Sequence, residues 1–156
     1  MLCACRPCSI LFPSDSPGAR FRLIPETCRY LDGFELDDEV WDGLRVPVEL
    51  AFFFHSTAVG RVVVFYPGPA GATESQLPLP EWAALVARNP VLRELEPDVE
   101  ALLVNRTHGA REYWIAPVDV CYRLVGVIRT HWRGLGGGEE VWREIDGFFD
   151  ELRARA

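Results

Sequence analysis

The clearest pattern of hydrophobic and polar positions lies near the end of the chain. Apolar residues recur at helical spacing from Val141 to Leu152, while the charged residues of that stretch fall largely elsewhere. This pattern predicts an amphipathic helix. A second helix is predicted to start at Pro117 and to end before the glycine-rich run 134–138. Its apolar stripe from Val118 to Ile128 is wide enough to predict that it is mostly buried.

Four segments rich in β-branched and aromatic residues predict two β-hairpins. Segments 48–55 and 61–66 are joined by the connection 56–60, and segments 99–106 and 111–116 are joined by 107–110. Phe52, Phe53 and Phe54 stand in a row, so both faces of that strand must be covered, and we expect it to be central in a sheet.

Weaker signals fill in the rest of the chain. We expect a first strand at 21–24, a short helix at 36–44, a loop at 67–73 and a helix from Pro80 to about Arg88. The predicted fold class is α+β, with a mostly antiparallel sheet of two hairpins and helices packed on one face. The predicted order is β-α-ββ-α-ββ-α-α. We predict a Cys-rich arm at 1–20, with half a zinc knuckle, and a single domain at 21–156.

Composition and charge restrict the function classes. The 156 residues are 49% hydrophobic and carry 16 basic against 23 acidic residues, a net charge of −7. Every basic residue is arginine, which excludes Schiff-base and Walker lysines. The acidic balance weighs against nucleic-acid binding. No apolar run is long enough for a membrane span, and the start does not resemble a signal peptide, so we predict a cytoplasmic protein without a membrane partner.

Three cysteines near the start predict a metal site. Cys3, Cys5 and Cys8 stand close together, and Cys5-Arg-Pro-Cys8 has the spacing of a zinc knuckle. No second pair with that spacing follows. A fourth ligand from Cys28, Asp15, a histidine or a partner chain would complete a zinc site. The alternatives are a metal-transfer or iron–sulfur site, or reduced thiols without a metal.

Other motifs carry less chemistry. Cys121 lies on the apolar stripe of its helix, which favours a buried structural thiol. His55 and Ser56 are adjacent in a predicted strand, so their side chains point to opposite faces. Neither G-x-S-x-G nor H-E-x-x-H occurs. Glu139 and Glu140 follow the run 134–138 and would repel a phosphate there, so we interpret the run as a flexible turn between two helices.

Three sets of polar residues are candidates for binding. They lie after a strand, around a hairpin tip and at a helix end, where binding residues are common. Together they predict an anion-binding or protein-binding surface, with a solvated surface and a capping tryptophan as the alternative. The residues are Thr73, Glu74, Ser75, Asn105, Arg106, Arg111, Arg129, His131, Trp132 and Arg133.

Several strings along nearly the whole chain resemble an uncharacterised family from actinobacteria and related bacteria. They are Cys3-Ala-Cys-Arg-Pro-Cys8, Ala51-Phe-Phe-Phe54, Tyr66-Pro-Gly-Pro-Ala-Gly-Ala-Thr-Glu-Ser75, Leu95-Glu-Pro-Asp-Val-Glu-Ala-Leu-Leu-Val-Asn-Arg106, Cys121-Tyr-Arg-Leu-Val-Gly-Val-Ile-Arg129 and Trp132-Arg-Gly-Leu-Gly-Gly-Gly138. The family is a domain of unknown function encoded near uptake [NiFe]-hydrogenase genes, which implies an accessory role in hydrogenase assembly or electron transfer. Longer members carry a further cysteine pair upstream, so the resemblance implies that the knuckle has lost its second half.

These observations favour a non-enzymatic accessory protein with a zinc-ribbon remnant, which binds a protein partner through 67–75 and 129–133. One alternative is an enzyme whose cleft holds Glu74, Asn105, Arg111 and His131. There Glu74 or His131 would act as the acid or base and Arg111 would anchor an anion. Another alternative is a protein that delivers a metal through its N-terminal cysteines.

Overall fold

A computed structural model describes residues 22–75 and 81–156 of the chain. The predicted Cys-rich arm and its three cysteines lie outside these residues. The described part is α+β, with six strands, four α-helices and two short 3₁₀ turns. In chain order the strands and α-helices are β1 (Arg29–Tyr30), α1 (Asp38–Gly43), β2 (Leu50–Ser56), β3 (Arg61–Gly68), β4 (Gly71–Glu74), α2 (Trp82–Arg88), β5 (Glu100–Asn105), β6 (Glu112–Pro117), α3 (Val118–His131) and α4 (Gly138–Arg155).

The six strands form one antiparallel sheet in the order β1-β6-β5-β2-β3-β4. Strand β2 is central: Phe53 pairs with Val64 of β3 on one side and with Leu102 of β5 on the other. Phe52 and Phe53 are completely buried. The prediction of a central strand covered on both faces is therefore confirmed.

The helices cover both faces of the sheet, so the prediction that they pack on one face is wrong. Phe52 and Phe54 of β2 face a core that α3 and α4 complete. Phe53 points the other way, into a second core built with α1, α2 and the 3₁₀ turn Pro90–Glu94. Neighbouring residues of a strand point to opposite faces, so a strand with consecutive apolar residues needs a covering layer on each side.

Strand β4 corrects the prediction of a loop over 67–73. Strand β3 continues to Gly68, and Pro67 pairs with Ala72 of β4 across a tight turn. The pairing of β2 with β3 extends only to the Phe52–Phe65 pair, so Pro67 lies beyond the β2 ladder. A proline without an N–H is tolerated at such an edge.

The beginning of the described chain also differs from the prediction. Residues 22–24 are not a strand, and β1 is the two-residue segment Arg29–Tyr30, which pairs with β6. The helices predicted near 36–44, 80–88, 117–131 and 141–152 are all present with small shifts at their ends. No helix of the described residues is long and apolar enough to cross a membrane.

Candidate functional site

Three connections lie at the same end of the sheet, which we call the loop end: 67–71, 106–111 and 132–137. Leu50, the first residue of β2, pairs with Asn105, and Asn105 pairs with Glu112, so the β5–β6 tip lies at this end. Helix α3 follows β6 and ends close to the β3–β4 turn, since a Cβ at Gly71 would lie 3.9 Å from Arg129 Cδ. The loop end thus brings together the hairpin-tip group and the helix-end group of predicted binding residues, while Thr73, Glu74 and Ser75 follow β4 away from it.

Asn105 stabilises the β5–β6 tip. Its side chain is buried, and its Nδ2 donates to Glu112 Oε2 at 2.8 Å. Its Oδ1 accepts from the backbone N–H of Thr107 at 3.1 Å and from the Thr107 hydroxyl at 2.7 Å. Each of these hydrogen bonds closes the tip, so the amide has a structural role.

Arg106 and Arg111 share one carboxylate on the α1 side of the tip. Arg106 is 4% exposed, forms an ion pair with Asp38 and lies 5.2 Å from the centroid of a Trp41 ring. Arg111 Nη2 donates to Asp38 Oδ1 at 3.0 Å. Burial lowers the pKa of Arg106, and the like charge of Arg111 lowers it further. The two cations therefore link the tip to the start of α1.

Thr73, Glu74 and Ser75 lie along the edge strand rather than in a loop. The Glu74 carboxylate lies 3.7 Å from the guanidinium of Arg61. Ser75 is buried, and its N–H donates to Val64 O at 3.0 Å, which extends the ladder with β3. Burial is the main cause that raises the pKa of Tyr122 on α3. Cys121 and the charge of Glu74 raise it further. Glu74 is therefore close to α3.

The end of α3 is held by local contacts. His131 Nδ1 lies 2.9 Å from Glu140 Oε1 in the first turn of α4. This hydrogen bond lowers the pKa of Glu140 below its ordinary value. Arg133 Nη1 donates to Thr130 O at 2.9 Å, and its backbone N–H donates to Gly137 O at 2.8 Å. The last contact closes the connection between the two helices.

Two tryptophans brace that connection from both sides. Trp132 Nε1 donates to Gly134 O at 2.8 Å, and Trp142 Nε1 donates to Gly136 O at 3.3 Å. Their ring centroids are 6.3 Å apart, and the His108 ring lies 4.9 Å from Trp142. We call Trp132, Trp142 and His108 the tryptophan platform. All three side chains are at least partly exposed.

A fully exposed leucine and two special backbone positions accompany the platform. Leu135, between the two glycines that accept from the indoles, is fully exposed, at 104% of its reference area. Gly137 has φ 85°, and a Cβ there would lie 2.8 Å from Val141. His108 has φ 53°, a backbone region that is costly for a residue other than glycine. The predicted turn between the helices is thus confirmed, and it is a hydrogen-bonded one.

Sequence reasoning found Trp132 but missed its two partners. It placed Trp142 only on the apolar face of α4 and His108 only at a hairpin tip. The signal that joins them is topological: a helix that follows β6 and packs antiparallel to it returns to the β5–β6 tip.

The four residues of the predicted enzyme cleft share no partner. Glu74 lies near Arg61, while Asn105 binds Glu112 and Thr107. Arg111 pairs with Asp38, and His131 pairs with Glu140. Within the described chain these contacts keep the four groups apart: Arg111 lies on the α1 side of the tip, His131 lies at the end of α3, and Glu74 lies on β4 near Arg61.

Two of the five cysteines, Cys28 and Cys121, lie within the described residues. Cys121 is completely buried, and burial raises the pKa of its thiol, as expected for a structural cysteine. Cys28 is half-buried, and burial raises its pKa as well. No group of three or more His, Cys, Asp or Glu residues in 22–75 and 81–156 is arranged to hold a metal. The predicted ligands Cys3, Cys5 and Cys8 lie outside these ranges.

Comparison with known proteins identifies the family of the chain. The family of unknown function DUF5947 matches residues 1–156, so the chain belongs to that family. No curated protein and no solved structure matches the chain significantly.

Proposed function

We propose that this DUF5947 protein is a non-enzymatic accessory protein that binds a protein partner through its loop end. The observation that carries this proposal is the tryptophan platform with the fully exposed Leu135 beside it. Tryptophan and arginine are the residues that most often dominate the binding energy of protein interfaces. A fully exposed leucine, on a loop whose backbone accepts hydrogen bonds from two indoles, offers a partner a compact apolar anchor.

The arrangement is suited to binding because it is already ordered. Both indole N–H groups donate to the backbone of 134–137, so the loop presents Leu135 in a defined position. A pre-organised surface loses less conformational entropy when it binds. Burying the leucine side chain alone would contribute about 1.5–3 kcal/mol.

The charges around the platform indicate the chemistry of the partner. Arg129 and Arg133 are exposed at the end of α3, although the whole chain has a net charge of −7. Such rim charges mainly set specificity and association rate. Because the exposed Glu139 and Glu140 lie beside these arginines in the first turn of α4, we expect an apolar pocket on the partner with charges of both signs at its rim.

The resemblance to an actinobacterial family encoded near [NiFe]-hydrogenase genes supplies the candidate partner. A hydrogenase subunit or a hydrogenase maturation protein is the partner we propose. The half zinc knuckle at Cys3, Cys5 and Cys8 would then be a second feature of the accessory protein, with metal delivery as the alternative role for these thiols. The geometry of the described residues does not specifically favour the enzyme alternative.

A comparison of two exposed aliphatic residues tests the proposal. Leu135 and Val59 both lie in turns, at opposite ends of the molecule, and Val59 is 55% exposed. We expect Leu135→Glu to reduce recovery of the partner from hydrogenase-expressing cells at least about tenfold, or ~1.4 kcal/mol. Val59→Glu should leave recovery unchanged.

Two results would overturn the proposal. One is recovery of no hydrogenase or maturation subunit by the unmodified chain. The other is an equal loss of partner with both variants, since this would trace the loss to added charge rather than to the loop end.

A further inference from the structure

A pocket of about 280 Å³ opens on the α1 side of the β5–β6 tip, away from the tryptophan platform. Leu31, Phe34, Leu36 and Tyr113 contribute its apolar lining, and Arg111 lies at its border. The rings of Phe34 and Tyr113 pack against each other with centroids 4.8 Å apart. The pocket thus joins an aromatic wall to a cation.

Arg111 has capacity for a further anion. Its guanidinium offers five N–H donors, of which one donates to Asp38 Oδ1 at 3.0 Å and one to Ala110 O at 3.3 Å. The Asp38 carboxylate is shared with the buried Arg106. One carboxylate therefore neutralises two guanidiniums that repel each other, and a second carboxylate at Arg111 would relieve that repulsion.

Tyr113 adds a hydroxyl group on the same side. Its OH is buried and lies 3.5 Å from Leu36 O, to which it donates. Burial raises the pKa of Tyr113, while the nearby charges of Arg106 and Arg111 act against that rise. The phenol is therefore neutral and close to both cations, and its single O–H would turn from Leu36 O to donate to a bound anion.

We propose that this pocket binds an aromatic ring that carries a carboxylate. The ring would pack against Phe34 and the leucines, and the carboxylate would accept from Arg111 in the paired geometry that guanidinium favours. A cavity of about 150 Å³ holds a benzene molecule. This pocket is open to solvent, so its volume of about 280 Å³ would hold one ring and a short acid chain with part of the ligand in water. This chemistry occurs in small aromatic acids and in the C-terminal phenylalanine of a peptide.

The test is a titration of the full-length chain with phenylacetate, followed by the amide NMR signals of 31–36 and 111–113. We expect saturable shifts confined to these segments, with a Kd on the order of 1 mM, typical of a ligand with so few atoms. Phenylacetamide, which keeps the ring but lacks the charge, and acetate, which lacks the ring, should each bind at least about tenfold more weakly.

Arg111→Gln is the matching variant, and Arg61→Gln is its control. Both arginines form an exposed ion pair, and their side chains are 49% and 46% exposed. Arg111→Gln should weaken phenylacetate binding at least about tenfold, while Arg61→Gln should not change it. Tyr113→Phe keeps the aromatic wall and tests the hydroxyl alone.

Three results would overturn the proposal: no saturable shifts with phenylacetate, equal binding of phenylacetamide, or equal binding by the folded Arg111→Gln variant. The ligand comparison uses the unmodified chain, so it decides the question even if a variant fails to fold. A second arm uses acetyl-Gly-Gly-Phe with a free or an amidated C-terminus. Tighter binding of the free tripeptide than of phenylacetate would assign the pocket to a chain terminus, and weaker binding would assign it to a free acid.

Discussion

The two ends of the sheet close their turns by different means. At the end opposite the loop end, Asp98 accepts from the backbone N–H of Thr57 at 2.8 Å and from its hydroxyl at 2.6 Å. Asp98 in turn donates its N–H to His55 O at 2.9 Å. At the loop end, Asn105 and Thr107 close the β5–β6 tip, while the indoles of Trp132 and Trp142 donate to the backbone of the connection between α3 and α4. An aliphatic residue is exposed at each end: Leu135 at the loop end and Val59 at the opposite end.

The difference separates what a turn needs to fold from what it offers to a partner. A backbone hydrogen bond from Gly60 N–H to Ser56 O, together with the contacts of Thr57 with the Asp98 carboxylate, holds the turn at 57–60. Trp132 and Trp142 are partly buried against the core, so each indole completes the packing and also holds the backbone beside the exposed Leu135. Exposure of an aliphatic side chain therefore does not by itself distinguish a binding surface from an ordinary turn. The groups that hold the backbone beside that side chain do.

The largest predicted loss of folding stability comes from replacing a turn glycine by alanine, which we compare at the two ends. Gly137 and Gly60 both have positive φ, 85° and 68°. A Cβ at Gly137 would lie 2.8 Å from Val141, whereas a Cβ at Gly60 has no atom within 4 Å. Gly60→Ala should cost about 1–2 kcal/mol of backbone strain. Gly137→Ala should cost about 2–4 kcal/mol, because overpacking adds to the strain.

Thermal or denaturant unfolding of the two variants measures this difference. Since about 1 kcal/mol corresponds to roughly 2–4 °C in a domain of this size, the two midpoints should be clearly resolved. Equal losses would contradict a tightly packed loop end and would indicate that the connection 134–137 yields to the added methyl group.

A smaller effect is expected on the way in which folding stability depends on pH, through the pair of His131 and Glu140 at the loop end. The hydrogen bond with His131 holds the pKa of Glu140 below its ordinary value of 4.5. Because the folded pKa is the lower one, the carboxylate stabilises the fold above the unfolded pKa, and this contribution is lost as the pH falls through the folded pKa. Glu140→Gln should therefore lose less stability than the unmodified chain between about pH 6 and pH 3.

Glu139→Gln is the control for the pH experiment, because it removes the same charge from the neighbouring position of α4. Unfolding midpoints are compared across the pH range for the three proteins. If Glu139→Gln and Glu140→Gln flatten the profile equally, the effect belongs to the first turn of the helix in general and not to the pair with His131.

The smallest effect is expected from a chelator. No metal-binding group of three or more residues is present in the part of the chain that the structure describes, at either end of the sheet. A structural zinc ion contributes about 10–16 kcal/mol of apparent binding energy, so a body that needed one would unfold without it. We expect an unchanged unfolding midpoint with and without a chelator. A large fall would show that the cysteine arm supports the fold.

Elemental analysis of the same samples tests the metal prediction itself. Zinc in the unmodified chain, and its loss after Cys5→Ser and Cys8→Ser, would support the half knuckle. Absence of metal from both would leave Cys3, Cys5 and Cys8 as thiols without a metal. A variant with a second C-x-x-C pair engineered ahead of Met1 provides the matched comparison.

Local patterns predicted the elements of this fold better than its layers. The helices α3 and α4 and the two hairpins follow from periodicity that each segment carries by itself. The second helical layer was missed, although Phe53 required a cover that one layer of helices does not supply. Strand β4 was missed because a proline usually indicates the end of a strand. Pro67 lies beyond the β2 ladder, where its missing N–H costs nothing.

The candidate site was predictable only where its residues lie at the end of one element. Trp132 and Arg133 stand out at a helix end, and Arg106 and Arg111 flank a hairpin tip. The contact of His108 with Trp142 joins residues that are distant in the chain. Such contacts depend on how α3 and α4 pack on the sheet, which no local pattern specifies.

Hydrogen exchange, measured on the free chain and on its complex with the recovered partner, tests the central claim most directly. We predict new protection at 107–110 and 132–142, and unchanged exchange at the turn 57–60. Protection confined to 57–60, or a complex without added protection around Leu135, would contradict the assignment of partner binding to the loop end.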